Sequence, residues 1–226
     1  MVEPRRIALP SGEQVSAMVA LPAAFQPGRH PAVVLAHGAG SDMTSPFLSR
    51  LHTALADAGY VAVKFNFLYR ERGRRVPDAR PLLERCYRAV LDAIVADEGL
   101  RPPWVAIGGR SMGGRIASHL AAEGAAVRAL LLLGYPLHPA GRPDRLRSEH
   151  LPAIGVPALF VQGTRDALAD LALLRPILAG MPRATLLAVD DADHSFTVRR
   201  SSGRTTDAVW AEIVAAVVRW LGELDG

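Results

Sequence analysis

The chain has 226 residues, 50% hydrophobic and 21% charged, enough for one self-sufficient core and too apolar for a disordered or fibrous protein. No apolar run approaches the roughly 18 residues of a membrane span, and the single cysteine, Cys86, excludes an internal disulfide or a multi-thiolate metal site. The net charge of +4 comes from scattered arginines beside one lysine, Lys64; the densest run, RERGRR at 70–75, has no aromatic interleaving beyond Tyr69 and reads as a solvated loop, not a nucleic-acid face.

In chain order, RIAL (6–9) is placed to pair with QVSAMVAL (14–21) through the turn PSGE, giving an antiparallel start. AVVLA (32–36), VAVKFNF (61–67), WVAIGG (104–109), RALLLLGY (128–135), ALFVQG (158–163) and TLLAVDD (185–191) follow as strands, most of them apolar on both faces, as in a parallel sheet covered on each side. Helical periods lie between them. The first starts with Ser45 as cap and Pro46 at its first position and stops before Gly59. The second, about 80–97, spaces Leu83, Cys86, Tyr87, Val90, Leu91 and Ile94 on one face, which makes Cys86 a core residue. A third occupies 112–123, and a last one, about 205–222, turns Val209, Trp210, Ile213, Val217 and Trp220 inward. Strand and helix alternate without a composition break, which predicts a single three-layer αβα domain over 1–226. The opening MVEPRRIALPSGEQ lacks a secretory apolar stretch and predicts a cytoplasmic address.

The stretch GGRSMGGR (108–115) falls between a strand and a helix and sets four glycines around Ser111. A phosphate-binding loop would need lysine and then serine or threonine after Gly113, where Gly114 and Arg115 stand; the Gly-x-Gly-x-x-Gly pattern fits no frame. Gly109-Arg110-Ser111-Met112-Gly113 does fit Gly-x-Ser-x-Gly, the strained strand-to-helix turn that projects a nucleophile. A serine hydroxyl needs a base and the base an orienting carboxylate, in the order Ser, acid, His for this architecture. After the 158–163 strand only one histidine remains, His194, and Asp166 lies just beyond that strand. Other readings stay open: Asp166 as the cap of a helix over 168–179, Asp190, Asp191 or Asp193 as the partner of His194, or His194 as a surface residue. For the negative oxygen formed on attack, the backbone N–H of Met112 and of Ala39 in AVVLAHGAG are the expected donors, with Gly40 as runner-up; His37 precedes the serine and is read as holding that loop.

GGRSMGGR, GYPLHP, GTRD and DHSF together resemble the α/β-hydrolase superfamily over essentially the whole chain. Within it they resemble the small, lidless branch near dienelactone hydrolases and, more narrowly, predicted hydrolases that include a testis-expressed protein and a subunit of a histone acetyltransferase complex. The resemblance implies an eight-stranded, mostly parallel sheet with Ser111 as nucleophile, Asp166 as acid and His194 as base. Dienelactone hydrolases carry cysteine at the nucleophile position, so serine here puts their substrate in doubt. The expected activity is hydrolysis of a small or accessible acyl ester or thioester, with no cofactor, metal, nucleic acid or membrane partner; a binding module on the same scaffold is the alternative. The span 134–157 is too short for a helical lid. Arg110, Tyr69 and Arg70 are candidates to attract an acidic substrate, against ordinary surface pairing, and Tyr135 and His138 are candidates to border the site, against loop packing.

Overall fold

The computed structural model describes residues 1–224; positions 225 and 226, the end of the expected domain, lie outside the described residues. Eight strands form one sheet in the order β1-β2-β4-β3-β5-β6-β7-β8, with β1 Val2–Ala8, β2 Gln14–Ala20, β3 Ala32–Ala36, β4 Val61–Phe65, β5 Val105–Arg110, β6 Ala129–Leu133, β7 Ala158–Gly163 and β8 Ala184–Val189. β1 pairs antiparallel with β2 and β2 with β4, and every other pairing is parallel. The hairpin is the one read from the sequence, although its first strand starts at Val2, four residues before 6. The central strands are buried on both faces, which is why they read as unbroken apolar runs.

The helices are α1 Pro46–Asp57, α2 Leu68–Glu71, α3 Arg80–Val95, α4 Met112–Ala122, α5 Leu171–Ala179 and α6 Thr206–Gly222. Val33 and Leu35 of β3 pack with Leu48, Leu51 and Leu55 of α1 and Ile213 and Val217 of α6. Their neighbours Val34 and Ala36 join Tyr87 and Val90 of α3 and Ile116 and Leu120 of α4 on the other face. That alternation builds the three layers. Cys86 sits in the second cluster, 3% exposed, and burial pushes its thiol up to about 12, so it is an inert core group at neutral pH. Trp220 is buried as expected, whereas Trp210 is only half-buried.

Two helix starts differ from expectation. Ser45 precedes α1, with Pro46 at its first position, but makes no side-chain cap bond. The segment after β7 becomes helical only at Leu171, capped by Asp170, whose Oδ1 accepts from Ala172 N at 2.8 Å. The one-turn α2 has no signal of its own in the sequence, because its residues follow β4 without a glycine or proline break. Of the basic run beside it, Arg70, Arg72 and Arg74 pair with Asp42, Glu13 and Asp78. The 134–157 segment carries only a short 3₁₀ turn at Leu151–Ala153, with Tyr135, Leu137, Leu151 and Ile154 buried in the core that also holds α4; it adds no lid. Among the described residues no helix is long and apolar enough to cross a membrane.

The order β4-β3-β5 makes β3 the point where successive connections leave in opposite directions, through α1 on one face and α3 on the other. A crevice opens at the carboxyl ends of β3 and β5 in such sheets. His37, Gly38 and Ala39 leave β3 there, and Ser111 leaves β5.

Candidate active site

Ser111 takes φ +51° and ψ −114° at the junction of β5 and α4, a conformation L-residues rarely adopt. The backbone is forced into it because the turn is pressed against β3. A Cβ at Gly109 would lie 2.2 Å from the Ala36 carbonyl oxygen, and one at Gly113 would lie 2.4 Å from the same atom. Only glycine on either side lets the serine bend this sharply.

His194 lies in the loop after β8, and its Nε2 is 2.9 Å from Ser111 Oγ. Its Nδ1 is 2.7 Å from Asp166 Oδ2. The carboxylate is held from three directions: Oδ2 also accepts from Gln162 Nε2 at 2.5 Å, and Oδ1 accepts from Leu168 N at 2.8 Å. With a carboxylate at Nδ1, the imidazole carries its proton there and turns the Nε2 lone pair to the serine hydroxyl. The competing acids are occupied elsewhere. Asp190 Oδ1 accepts from Thr164 Oγ1 at 3.5 Å, Asp191 binds the Arg199 side chain, and Asp193 Oδ1 accepts from Ser195 N at 2.8 Å and Thr197 N at 2.9 Å. Gln162 escaped the sequence reading; a polar residue in an otherwise apolar buried strand was the signal.

His37 is fully buried, and its Nε2 accepts from Phe67 N at 3.1 Å. Nδ1 must then carry the proton, and it donates to the Gly38 carbonyl at 2.8 Å. Ser41 N donates to the same oxygen at 3.3 Å. In a trans peptide the carbonyl and the following N–H point in opposite directions, so the Ala39 N–H faces away from the His37 ring. Gly40 takes φ +70° at the exposed corner of this loop and is not among the cavity-lining residues.

Burial drives the His37 pKa down to about 4, and burial followed by the Lys64 charge does the same to His52. Unfolded histidine binds its proton near pH 6.5. Between pH 6.5 and 4 the unfolded chain therefore holds protons that the folded chain does not, and stability is lost as the pH falls. Each histidine adds a slope approaching about 1.4 kcal/mol per pH unit. Urea midpoints measured from pH 7 to pH 4.5 are expected to fall, and replacing His52 with a neutral residue should flatten the curve.

Arg110 occupies a place no sequence argument assigned. Its guanidinium lies 4.9 Å from the Phe196 ring centroid and donates to the carbonyl oxygens of Leu133, at 3.2 Å, and His194. Burial lowers its pKa to about 10, which leaves it charged at neutral pH. Gly134 makes room, since a Cβ there would come within 2.5 Å of Arg110 Nη1. Arg110 thus ties the His194 loop to the strand that carries Ser111.

A cavity of about 430 Å³ opens on Ser111 and His194, at the small end of ligand pockets, which run from about 300 to 1,000 Å³. Gly38, Ala39 and Arg110 line one side; Pro46, Phe47, Leu168 and Trp210 supply apolar walls, and Ser41, Ser45 and Ser195 the remainder. Phe47 and Trp210 meet edge to face at 5.5 Å. Tyr69, Tyr135 and His138, the other candidate substrate contacts, are not among its lining residues. Tyr69 is 0% exposed and packs at 5.8 Å from His37. Tyr135 is 0% exposed and donates to the Arg147 carbonyl at 2.5 Å. His138 accepts from Asp170 N at 3.1 Å and is bonded through Nδ1 to the Pro139 carbonyl at 2.9 Å. Each is loop or core packing. Arg70 is held by Asp42 and the Arg74 carbonyl. Met112 is buried directly behind Ser111 at the first position of α4. Among the described residues no cluster of His, Cys, Asp and Glu could hold a metal ion.

A second serine–histidine contact lies on the far side of α4, where Ser118 Oγ is 2.7 Å from His150 Nε2. The Ser118 hydroxyl also donates to the Arg115 carbonyl at 2.7 Å, so it accepts from His150. Ser118 is fully buried, and among the described residues His150 has no carboxylate within ion-pair distance. The pair is structural.

Compared with known proteins, residues 29–222 match a family model described as an alpha/beta hydrolase domain. A dienelactone hydrolase from Anabaena variabilis superposes with a TM-score of 0.78 at 21% identity, covering 99% of this chain and 97% of its own. An alpha-beta serine hydrolase homologue from Coxiella burnetii gives 0.76 at 19% identity, covering 97% of each chain. A serine hydrolase without lid from Xanthomonas campestris gives 0.73 at 22% identity, covering 97% of this chain and 94% of its own.

Proposed function

Because this chain belongs to the alpha/beta hydrolase family, we propose that it is a serine hydrolase that cleaves a small, neutral carboxylic ester or thioester through an acyl-enzyme on Ser111. The single observation that carries this reading is the relay from Ser111 Oγ through His194 to the buried Asp166, with links of 2.9 and 2.7 Å. His194 takes the hydroxyl proton as Ser111 attacks the acyl carbon, and Asp166 stabilises the imidazolium that results. The N–H groups of Ala39 and Met112 receive the oxyanion, and the amino end of α4 adds its positive field. His194 then returns the proton to the leaving alcohol or thiol. Water, deprotonated by the same histidine, releases the acid.

The cavity favours a neutral acyl group. Its walls are Phe47, Leu168, Pro46 and Trp210, and its one guanidinium, Arg110, already serves two carbonyl groups. Of the two readings of Arg110, Tyr69 and Arg70, this one sets aside recruitment of an acidic substrate, and Arg70 is paired with Asp42. Incubation with a fluorophosphonate probe is expected to label the wild-type chain and not Ser111→Ala. A p-nitrophenyl ester series should show turnover that rises with the first added methylenes and falls when the acyl group outgrows the cavity. Unchanged labelling and turnover in Ser111→Ala would sink the assignment; a wild type inert to both reagents would favour a non-catalytic binding module.

A further inference from the structure

Behind α4, sharing no lining residue with the Ser111 cavity, lies a cleft of about 260 Å³ lined by Arg80, Arg115, His119, Arg147 and His150, with Leu146 and Glu149 completing it. We propose that this basic cleft is a binding site for a phosphate-type oxyanion, free or as a phosphate monoester. Three guanidiniums converge from three separate elements: Arg80 from α3, Arg115 from α4 and Arg147 from the 134–157 segment. Bringing like charges together opposes folding, and each raises the attraction for an anion placed among them.

The surrounding charges do not cancel the field. From α3, Glu84 lies 3.5 Å from Arg80, and Arg88 pairs with Glu123 of α4 at 3.1 Å. Glu149 stands exposed at the cleft. Among the described residues neither Arg115 nor Arg147 has a carboxylate within ion-pair distance. The Nε of Arg115 is buried without a hydrogen-bond partner. A buried donor left unpaired opposes the stability of the empty site.

His119 extends the donor set, and His150 joins it once protonated. Their rings stack at 3.6 Å with 18° between planes. Arg80 Nη1 donates to His119 Nδ1 at 3.2 Å, so the His119 proton is on Nε2. His150 uses Nε2 on Ser118 and keeps a bare Nδ1. Burial, with neighbouring charges adding to it, lowers the pKa of His119 to about 3 and of His150 to about 4, so both are neutral at pH 7 in the empty cleft. An anion raises the His150 pKa and binding takes up a proton. Affinity therefore increases as the pH falls. Leu146, 40% exposed, offers an apolar rest for the organic part of a monoester.

Calorimetric titration of the full chain with inorganic phosphate should give saturable one-to-one binding. Arg147→Gln should weaken it about 10-fold or more, the effect of losing a charge-assisted hydrogen bond, whereas Arg142→Gln, in the same segment but paired with Asp144 at 3.1 Å, should leave it unchanged. Sulfate keeps a constant charge across mildly acidic pH; it should bind more tightly as the pH falls, and His150→Gln should remove that dependence. Phenyl phosphate binding more tightly than phosphate would assign the site to a monoester, and equal affinity to the free anion. Absence of saturable binding at millimolar phosphate, or equal weakening in Arg147→Gln and Arg142→Gln, would overturn the proposal. Should Arg147→Gln fail to fold, phosphate-induced shifts of the His119 and His150 ring signals in the wild type decide in its place: their absence refutes the site.

Discussion

Asp166→Asn is expected to lower kcat about 10⁴-fold, the scale found when a relay carboxylate becomes an amide, with KM close to that of the wild type. The contacts around Asp166 are all donors: His194 Nδ1–H and Gln162 Nε2–H on one oxygen, Leu168 N–H on the other. An asparagine has one acceptor and one donor end. With its oxygen toward Leu168, the amide NH₂ meets Nδ1 and Gln162; the imidazole then moves its proton to Nε2 and presents Ser111 with a donor where a base is needed. With its oxygen toward His194, the NH₂ faces the Leu168 N–H and the loop after β7 has to shift. The second sets donor against donor and displaces Leu168, a cavity wall; the first needs no backbone movement, disables the base and leaves the walls in place, so substrate affinity should survive. Asp166→Asn/Gln162→Glu restores a negative charge beside His194 and should recover part of kcat. Steady-state kinetics on the best p-nitrophenyl ester measures both. A loss below about 10-fold in the single variant would mean that Asp166 does not orient the base.

The sequence carried the residues that have no substitute. The elbow needed glycine at 109 and 113, and the collision that demands it is with one atom, the Ala36 carbonyl oxygen. That contact is invisible in the string, but its consequence is not. His194 was legible for a different reason: after β7 no other histidine remained. The two-faced apolar strands likewise betrayed a covered parallel sheet, because burial on both sides leaves no polar alternation. What the string did not yield depended on which way long side chains run. Arg110 sits beside Ser111, where the string leaves a substrate contact and ordinary surface pairing both open; it turns instead onto Phe196 and the His194 carbonyl, through space vacated by Gly134, 24 positions away. Tyr69, Tyr135 and His138 follow strands that end at the crevice, yet each folds back into packing. Chain position fixes where a Cα emerges at the sheet edge; it does not fix whether a side chain points to solvent or core. Trp210 shows the converse. Its helical period predicted burial, but it lies far enough round α6 to form a wall of the cavity.

His37→Leu is expected to reduce kcat about 10²- to 10³-fold, the cost of losing one oxyanion donor, with a much smaller change in KM. Leucine fills the site but removes both ring nitrogens, so the Gly38 carbonyl loses its donor at 2.8 Å and keeps only the longer bond from Ser41 N at 3.3 Å, and the Phe67 N–H loses its acceptor at 3.1 Å. A Gly38–Ala39 peptide released on that side can rotate. Rotation by half a turn would put a carbonyl dipole where the Ala39 N–H should meet the developing charge, exchanging attraction for repulsion at the moment of attack. His37→Asn supplies a separate reading, because its amide NH₂ can occupy the place of Nδ1 and hold the Gly38 carbonyl while giving up the contact to Phe67. It should therefore retain far more activity than leucine even though both variants orphan the same Phe67 N–H and are destabilised to a similar degree. A stability effect alone would move the two variants together in urea unfolding and in kcat. Equal kcat values for leucine and asparagine would show that His37 supports the fold without setting the oxyanion donor.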